Sequence, residues 1–245
     1  MSAAPLPLSL VITPAVIDAE ATGAGDLPAI TLRNRSAVGF HVKVVPALAA
    51  QGIEGGLALR RGSRSDALAR RVLRVQAPGV VGPRSAVEVR PSFLGFAGRS
   101  SLTLTAAITA TPLHPPSGAI RFRFVLLPAI FVHRPTVAAA NPVIASVRAK
   151  KVRRLLELAA LVRNRGRKPA FVTAVDFRIL DARGKSLAHV SGSTGYVAPS
   201  SARYFRAQLS RTLPPGRLRA EAIVRQGGRE TRRSGFFRVP EPRRS

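Results

Sequence analysis

Four histidines, His41, His114, His133 and His189, are the side chains best suited to proton transfer or metal binding in this chain of 245 residues. They are scattered. No HxH, HxxxH or HExxH spacing brings two of them onto one face of a helix or strand, so the pattern holds no zinc site. Cysteine is absent, which removes thiolate ligands and disulfides alike. Asp18 and Glu20 stand two residues apart, but no spacing among the 12 acidic residues singles out an acid/base pair. Ser191-Gly192-Ser193-Thr194-Gly195 lacks the G-x-S-x-G order of a nucleophile elbow and reads as a loop between strands. Gly23-Ala24-Gly25 lacks the third glycine of a dinucleotide loop, and no Walker loop is present. The sequence therefore carries no expected catalytic residue, metal or cofactor, and is read as a non-enzyme.

Binding is better represented. Lysine and arginine total 39 against 12 acidic residues, a net charge of +27. Only Lys43, Lys150, Lys151, Lys168 and Lys185 are lysines. Arginine excess accompanies GC-rich coding, but arginine also grips phosphate and carboxylate through two parallel hydrogen bonds. Residues 136–245 hold 24 basic and 6 acidic residues, so the charge is concentrated in the second half. A basic cluster, Arg148, Lys150, Lys151, Arg153 and Arg154, is the candidate anion-binding site, with Arg229, Arg232 and Arg233 as further members. Teichoic acid, nucleic acid or an anionic lipid would suit it. Tryptophan is absent and tyrosine is limited to Tyr196 and Tyr204, so platforms for stacking bases are scarce and specific nucleic-acid recognition is not expected.

The elements that would position these groups are strands. Phe40, Val42 and Val44 alternate with His41 and Lys43. Ile120, Phe122 and Phe124 alternate with Arg121 and Arg123. Phe171 to Ile179 alternates, as does Leu218 to Val224. This is the period of a half-buried strand. Turn signals separate the runs: Asn34-Arg35-Ser36 after the strand Ala29 to Arg33, Asn164-Arg165-Gly166, Asp181-Ala182-Arg183-Gly184, and Gly227-Gly228, which fits a tight hairpin. Strands so spaced predict an all-β chain of two tandem immunoglobulin-like β-sandwich domains, residues 1–135 and 136–245, joined near His133-Arg134-Pro135. One segment is ambiguous. Val147 to Arg163 places Val152, Leu155, Leu156, Ala159 and Val162 at helical spacing, yet a basic turn followed by a strand suits the sandwich better. A second binding candidate is the strand Ala119 to Phe131. At a sheet edge its backbone could pair with a strand from a partner, with Ile120, Phe122, Phe124 and Leu126 as the anchoring side chains.

The longest apolar run, Phe124 to Val132, is too short to span a bilayer and contains Pro128. At the start, Pro5, Pro7 and Pro14 interrupt the apolar residues and the first basic residue is Arg33, so this stretch is read as strand rather than signal peptide.

LSLVITPAVIDAE, AITLRNRSAVGFHVKVVP and LRVQAPGVVGPRSAVEVRP resemble the opening strands and central turns of periplasmic pilus chaperones and of the two-domain surface proteins found with WxL proteins. RFRFVLLPAIFVHRP resembles the long last strand of the chaperone first domain. LLELAALVRNRGRKPAFVTAVDFRILDARGKSL is similar to a generic second immunoglobulin-like module. The resemblance implies an extracytoplasmic place, in the periplasm or at the cell surface, and a protein-binding or chaperone-like role in a bacterial surface complex with an exported partner. An anionic cell-wall polymer is the alternative partner. The basic pair that holds the client's terminal carboxylate in pilus chaperones has no counterpart, because neither Leu8 to Pro14 nor Leu127 to Ile130 contains a basic residue.

Overall fold

The structure, a computed structural model, describes residues 9–113, 123–152 and 155–241. Ile120, Phe122, Arg153, Arg154 and His114 lie outside the described residues. The chain divides into two compact units, Met1–Ala50 with Leu57–Val137, and Gln51–Gly56 with Ala138–Ser245. Both are β-sandwiches of the immunoglobulin-like class. Among the described residues no helix is long and apolar enough to cross a membrane.

The first unit is built from β1 (Leu10–Thr13), β2 (Val16–Glu20), β3 (Gly25–Asp26), β4 (Ile30–Asn34), β5 (Phe40–Gln51), β6 (Leu57–Leu59), α1 (Ser63–Val72), β7 (Leu73–Gln76), β8 (Val80–Val81), β9 (Ala86–Phe93), β10 (Ser101–Pro112), β11 (Phe124–Leu126) and β12 (Ala129–His133). One sheet runs β1-β4-β9-β3, with β7 on β9. The other runs β2-β12-β10-β5-β6, with β11 on β10 and β8 on β5. β1 pairs with β4 and β2 with β12, so the chain changes sheets at the cis Thr13-Pro14 bond, where proline has no N–H for either ladder. The alternation drives burial as expected: Ile30, Leu32, Phe40 and Val42 are buried, whereas Arg33, His41 and Lys43 face solvent.

One element departs from the all-strand pattern. Ser63–Val72 is a helix, with Asp66 in its first turn and Arg70 and Arg71 in its last, the charge order that favours a helix dipole. Ala69 and Val72, three apart, bury its inner face.

The second unit is built from β13 (Pro142–Val152), β14 (Leu155–Asn164), β15 (Ala170–Val172), β16 (Ala174–Leu180), β17 (Ser186–Ser191), β18 (Gly195–Val197), β19 (Ala202–Leu209), β20 (Gly216–Gln226) and β21 (Arg229–Val239). Its sheets run β13-β14-β19 and β17-β16-β20-β21, with a short β15-β18 ribbon. The ambiguous segment Val147–Arg163 is strand on both sides of residues 153 and 154. Leu156, Leu158, Ala160 and Val162 all face the core, a period of two. A helix would have turned Leu158 and Ala160 off the apolar stripe. The basic residues Arg148, Lys150 and Lys151 therefore lie on a strand, where a turn was expected. The glycine pair forms the anticipated two-residue hairpin. Gly227 and Gly228 have φ of 51° and 78°, the positive values a type I′ turn needs, and Gln226 pairs with Arg229 across it.

Each unit is organised around one buried asparagine. Asn34 ends β4 at 1% exposure and Asn164 ends β14 at 2%. The Asn34 Oδ1 accepts the Ser36 N–H at 2.9 Å, and its Nδ2 donates to the carbonyls of Val38 and Gly82, both at 2.7 Å. The Asn164 Oδ1 accepts the Gly166 N–H at 2.9 Å and the Asn141 N–H at 3.0 Å. Its Nδ2 donates to the carbonyls of Lys168 at 2.8 Å and Val197 at 3.1 Å. The backbone repeats the match. Asn34 N–H donates to Ser85 O and Asn164 N–H to Ser201 O. Arg84 and Ser200, both with positive φ, donate to Ser36 O and Gly166 O. The two halves thus share a structural repeat whose sequence trace is the tripeptide Arg-Asn-Arg at 33–35 and 163–165.

Replacing either hub by alanine strands several buried backbone groups. Asn34→Ala and Asn164→Ala should each destabilise their unit by roughly 2–4 kcal/mol, read from urea denaturation. A second constraint closes the second unit. A β-carbon at Gly235 of β21 would run into the carbonyl of Val147 on β13. Gly235→Val should lower the melting temperature more than the same change at Gly56 of the same unit, beside which there is open space.

Candidate functional site

Two surfaces carry the sequence-predicted binding residues. The first is the edge of the first unit at β11. The expected strand Ala119 to Phe131 is interrupted, because Leu127 and Pro128 separate β11 from β12. β12 is central, flanked by β10 and by β2, and all five of its residues are buried. It offers no edge. β11 pairs with β10, with Leu126 opposite Ile108 and Val125 opposite Thr109, and no strand of the described residues pairs on its other side. Phe124 and Leu126 are half-buried against the core, and the Phe124 ring meets Phe40 edge-on at 5.7 Å. Val125 points out and is 50% exposed. The segment is thus a short, apolar strand anchored by its inner face, with Val125 exposed on its outer one.

The second surface is cationic and lies on the second unit. Arg148, Lys150 and Lys151 are exposed on β13, with Lys150 opposite Glu157 of β14. The late arginines do not join them. β13 runs beside β21 in the same direction: Arg233 Nη1 donates to Ile144 O at 3.0 Å, and Gly235 faces Val147. Arg229, Arg232 and Arg233 therefore lie at the start of that run, and Arg148 to Lys151 beyond it. Lys151 instead shares a cleft with Arg211 and Arg238. These two arginines were not anticipated. Arg238 was legible only as the outward residue between Phe237 and Val239. Arg211 sits in a loop and had no signal.

Arg232 is drawn into an acid-bridged ladder on the outer face of the sheet. Arg232 Nε donates to Glu230 at 2.6 Å, and Arg225 Nε reaches the same carboxylate at 3.2 Å. Arg225 Nη1 also bonds Asp176, which accepts the Ser191 hydroxyl at 2.8 Å and faces His189 Nε2 at 3.5 Å. Ile223, opposite both Asp176 and Arg232, is fully buried beneath this ladder. The Arg225 hydrogen bond, with that of Ser191, holds the Asp176 carboxyl below the usual range. Glu230 is lowered likewise, first by Arg232. Within the same unit, Glu54 pairs with Arg206 at 2.6 Å, while Gln51 accepts the Ala198 N–H at 2.8 Å and donates to Tyr196 O at 3.0 Å. Sequence alone could not assign Gln51–Gly56 to this unit, because nothing in a linear reading links it to residues so far along the chain.

The residues weighed for catalysis are dispersed. His133 is buried in β12, its Nε2 3.1 Å from Asp18. His41 and His189 are exposed on separate units. Ser191 to Gly195 connects β17 to β18. Among the described residues no group of three His, Asp or Glu side chains stands close enough to hold a metal ion.

No protein family and no curated protein matches the chain in sequence. Solved structures match it in fold at low identity. They include the class 5 fimbriae chaperone CfaA, 12% identical with a TM-score of 0.44, covering 95% of this chain and 100% of that one. The E. coli chaperone DraB is 14% identical with a TM-score of 0.42, covering 95% and 98%. The Pseudomonas aeruginosa chaperone CupB2 is 15% identical with a TM-score of 0.40, covering 87% and 92%.

The ladder sets a pH dependence. Asp176 has a folded value below its ordinary 3.8, so its stabilisation is complete above that value and fades as pH falls through the folded one. Asp176→Asn should melt below the wild type by a constant margin from about pH 5 to 7, and the margin should shrink below about pH 4.

Proposed function

We propose that this protein is a non-enzymatic, extracytoplasmic, chaperone-like module of a bacterial surface complex that takes an extended segment of an exported protein onto the edge of β11. The observation that carries this reading is the exposure of Val125, which stands on β11 between two side chains anchored on the core, with no strand of the described residues on its far side. An added strand would hydrogen-bond along that side, while alternate side chains of the partner pack around Val125. The register is held by β10, which is paired with β5 along its far side. The reading requires no titratable group and no bound ion, which agrees with a site made of Phe, Val and Leu.

A photo-crosslinking residue at position 125, introduced in the native cells, should yield adducts with an exported protein, mapped by mass spectrometry to an extended segment. The same probe at Val80, an exposed valine on β8, should not yield them. Leu126→Pro should abolish the adduct by breaking the pairing of Leu126 with Ile108 that holds β11 on the sheet. Identical adducts at 125 and 80 would show that the edge is not the site.

A further inference from the structure

The second unit opens at one end into a cleft of about 350 Å³, at the lower end of the range for small-ligand sites. Its position follows from the sheet geometry. β13 and β21 are in backbone contact at Val147 and Gly235, and past that point the cleft opens between Ala149 to Lys151 on one side and Phe237 to Pro240 on the other. Its apolar wall includes Leu156, Leu213 and Phe237, all packed on the core cluster. Its cationic lining is Lys151, Arg211 and Arg238, and among the described residues no carboxylate lines it. Arg211 is held in place by donating to Leu187 O at 2.9 Å, which leaves guanidinium donors over. None of the three cations pairs with a carboxylate among the described residues, in contrast to Arg206, Arg225 and Arg232.

We infer that this cleft binds an amphipathic anion, an aliphatic chain ending in a carboxylate or phosphate. The chain lies against Leu156, Leu213 and Phe237, removing their apolar surface from water. The head meets Lys151, Arg211 and Arg238, whose charges have no acidic neighbour among the described lining residues to answer them. The site is separate from the β11 edge and does not depend on it.

Calorimetric titration of the full chain with dodecanoate, kept below its micelle concentration, tests the inference. Saturable binding of one molecule per chain is expected. Lys151→Ala with Arg238→Ala should weaken it by about tenfold or more. Arg167→Ala with Arg183→Ala removes the same charge from exposed positions outside the cleft and should leave affinity unchanged. Dodecyltrimethylammonium, with the same chain and the opposite charge, should not bind. Vesicles containing phosphatidylglycerol separate the two sources of such a ligand. Saturable binding of monomeric dodecanoate supports a pocket whether or not vesicles also bind. Binding to vesicles alone, equal affinity for the ammonium, or equal weakening by both double variants would overturn the inference.

Discussion

A buried asparagine cannot be left half-satisfied, and the turns of both units are arranged around that fact. Asn34 and Asn164 bring a carbonyl and an amide into places from which water is excluded. Each bond they lack there would leave a polar group unpaired, an expensive condition in a core of low polarity. The chain answers by bending back on itself. The residue two positions on donates to Oδ1, and carbonyls from the same turn and from a distant one accept from Nδ2. One side chain therefore ties the end of a strand to a segment far away in sequence, and does so identically in both halves.

Strand alternation can then act on a fixed frame. In β16 and β20 every second side chain is buried, and the polar residues between them are pushed outward. Where two strands must approach without a side chain between them, as β13 and β21 do, glycine is the residue that fits. Beyond that contact the strands part, and the cleft is the consequence.

The large positive charge is not spent uniformly. Some arginines are absorbed in pairs: Arg206 with Glu54, Arg225 with Asp176 and Glu230, Arg232 with Glu230. Others stack on aromatic rings, such as Arg217 over Phe236 at 4.3 Å and Arg134 over Phe96 at 4.7 Å. With so few acids available, a remainder stands without carboxylate partners among the described residues, and Lys151, Arg211 and Arg238 belong to it. Net charge alone does not distinguish these groups. Exposure and neighbours do.

Local pattern was enough to show an all-β chain, the glycine-pair hairpin, and the strands carrying Phe40, Phe177 and Leu218, because a period of two is written in adjacent residues. It also placed Phe124 and Leu126 on one apolar strand, whose side chains pack on the core, and marked Arg148, Lys150 and Lys151 as a basic cluster, which is exposed. The helix at Ser63–Val72 escaped because its apolar face is only Leu68, Ala69 and Val72, too thin a stripe to stand out among arginines. The separation of Arg232 from Lys151, the placing of Gln51–Gly56 in the second unit, and the meeting of Lys151 with Arg211 and Arg238 were decided by tertiary structure alone. Each depends on which strands lie side by side and in which direction they run. That is fixed by burying the two core clusters and satisfying their backbone groups together, and it leaves no trace in the spacing of residues along the chain.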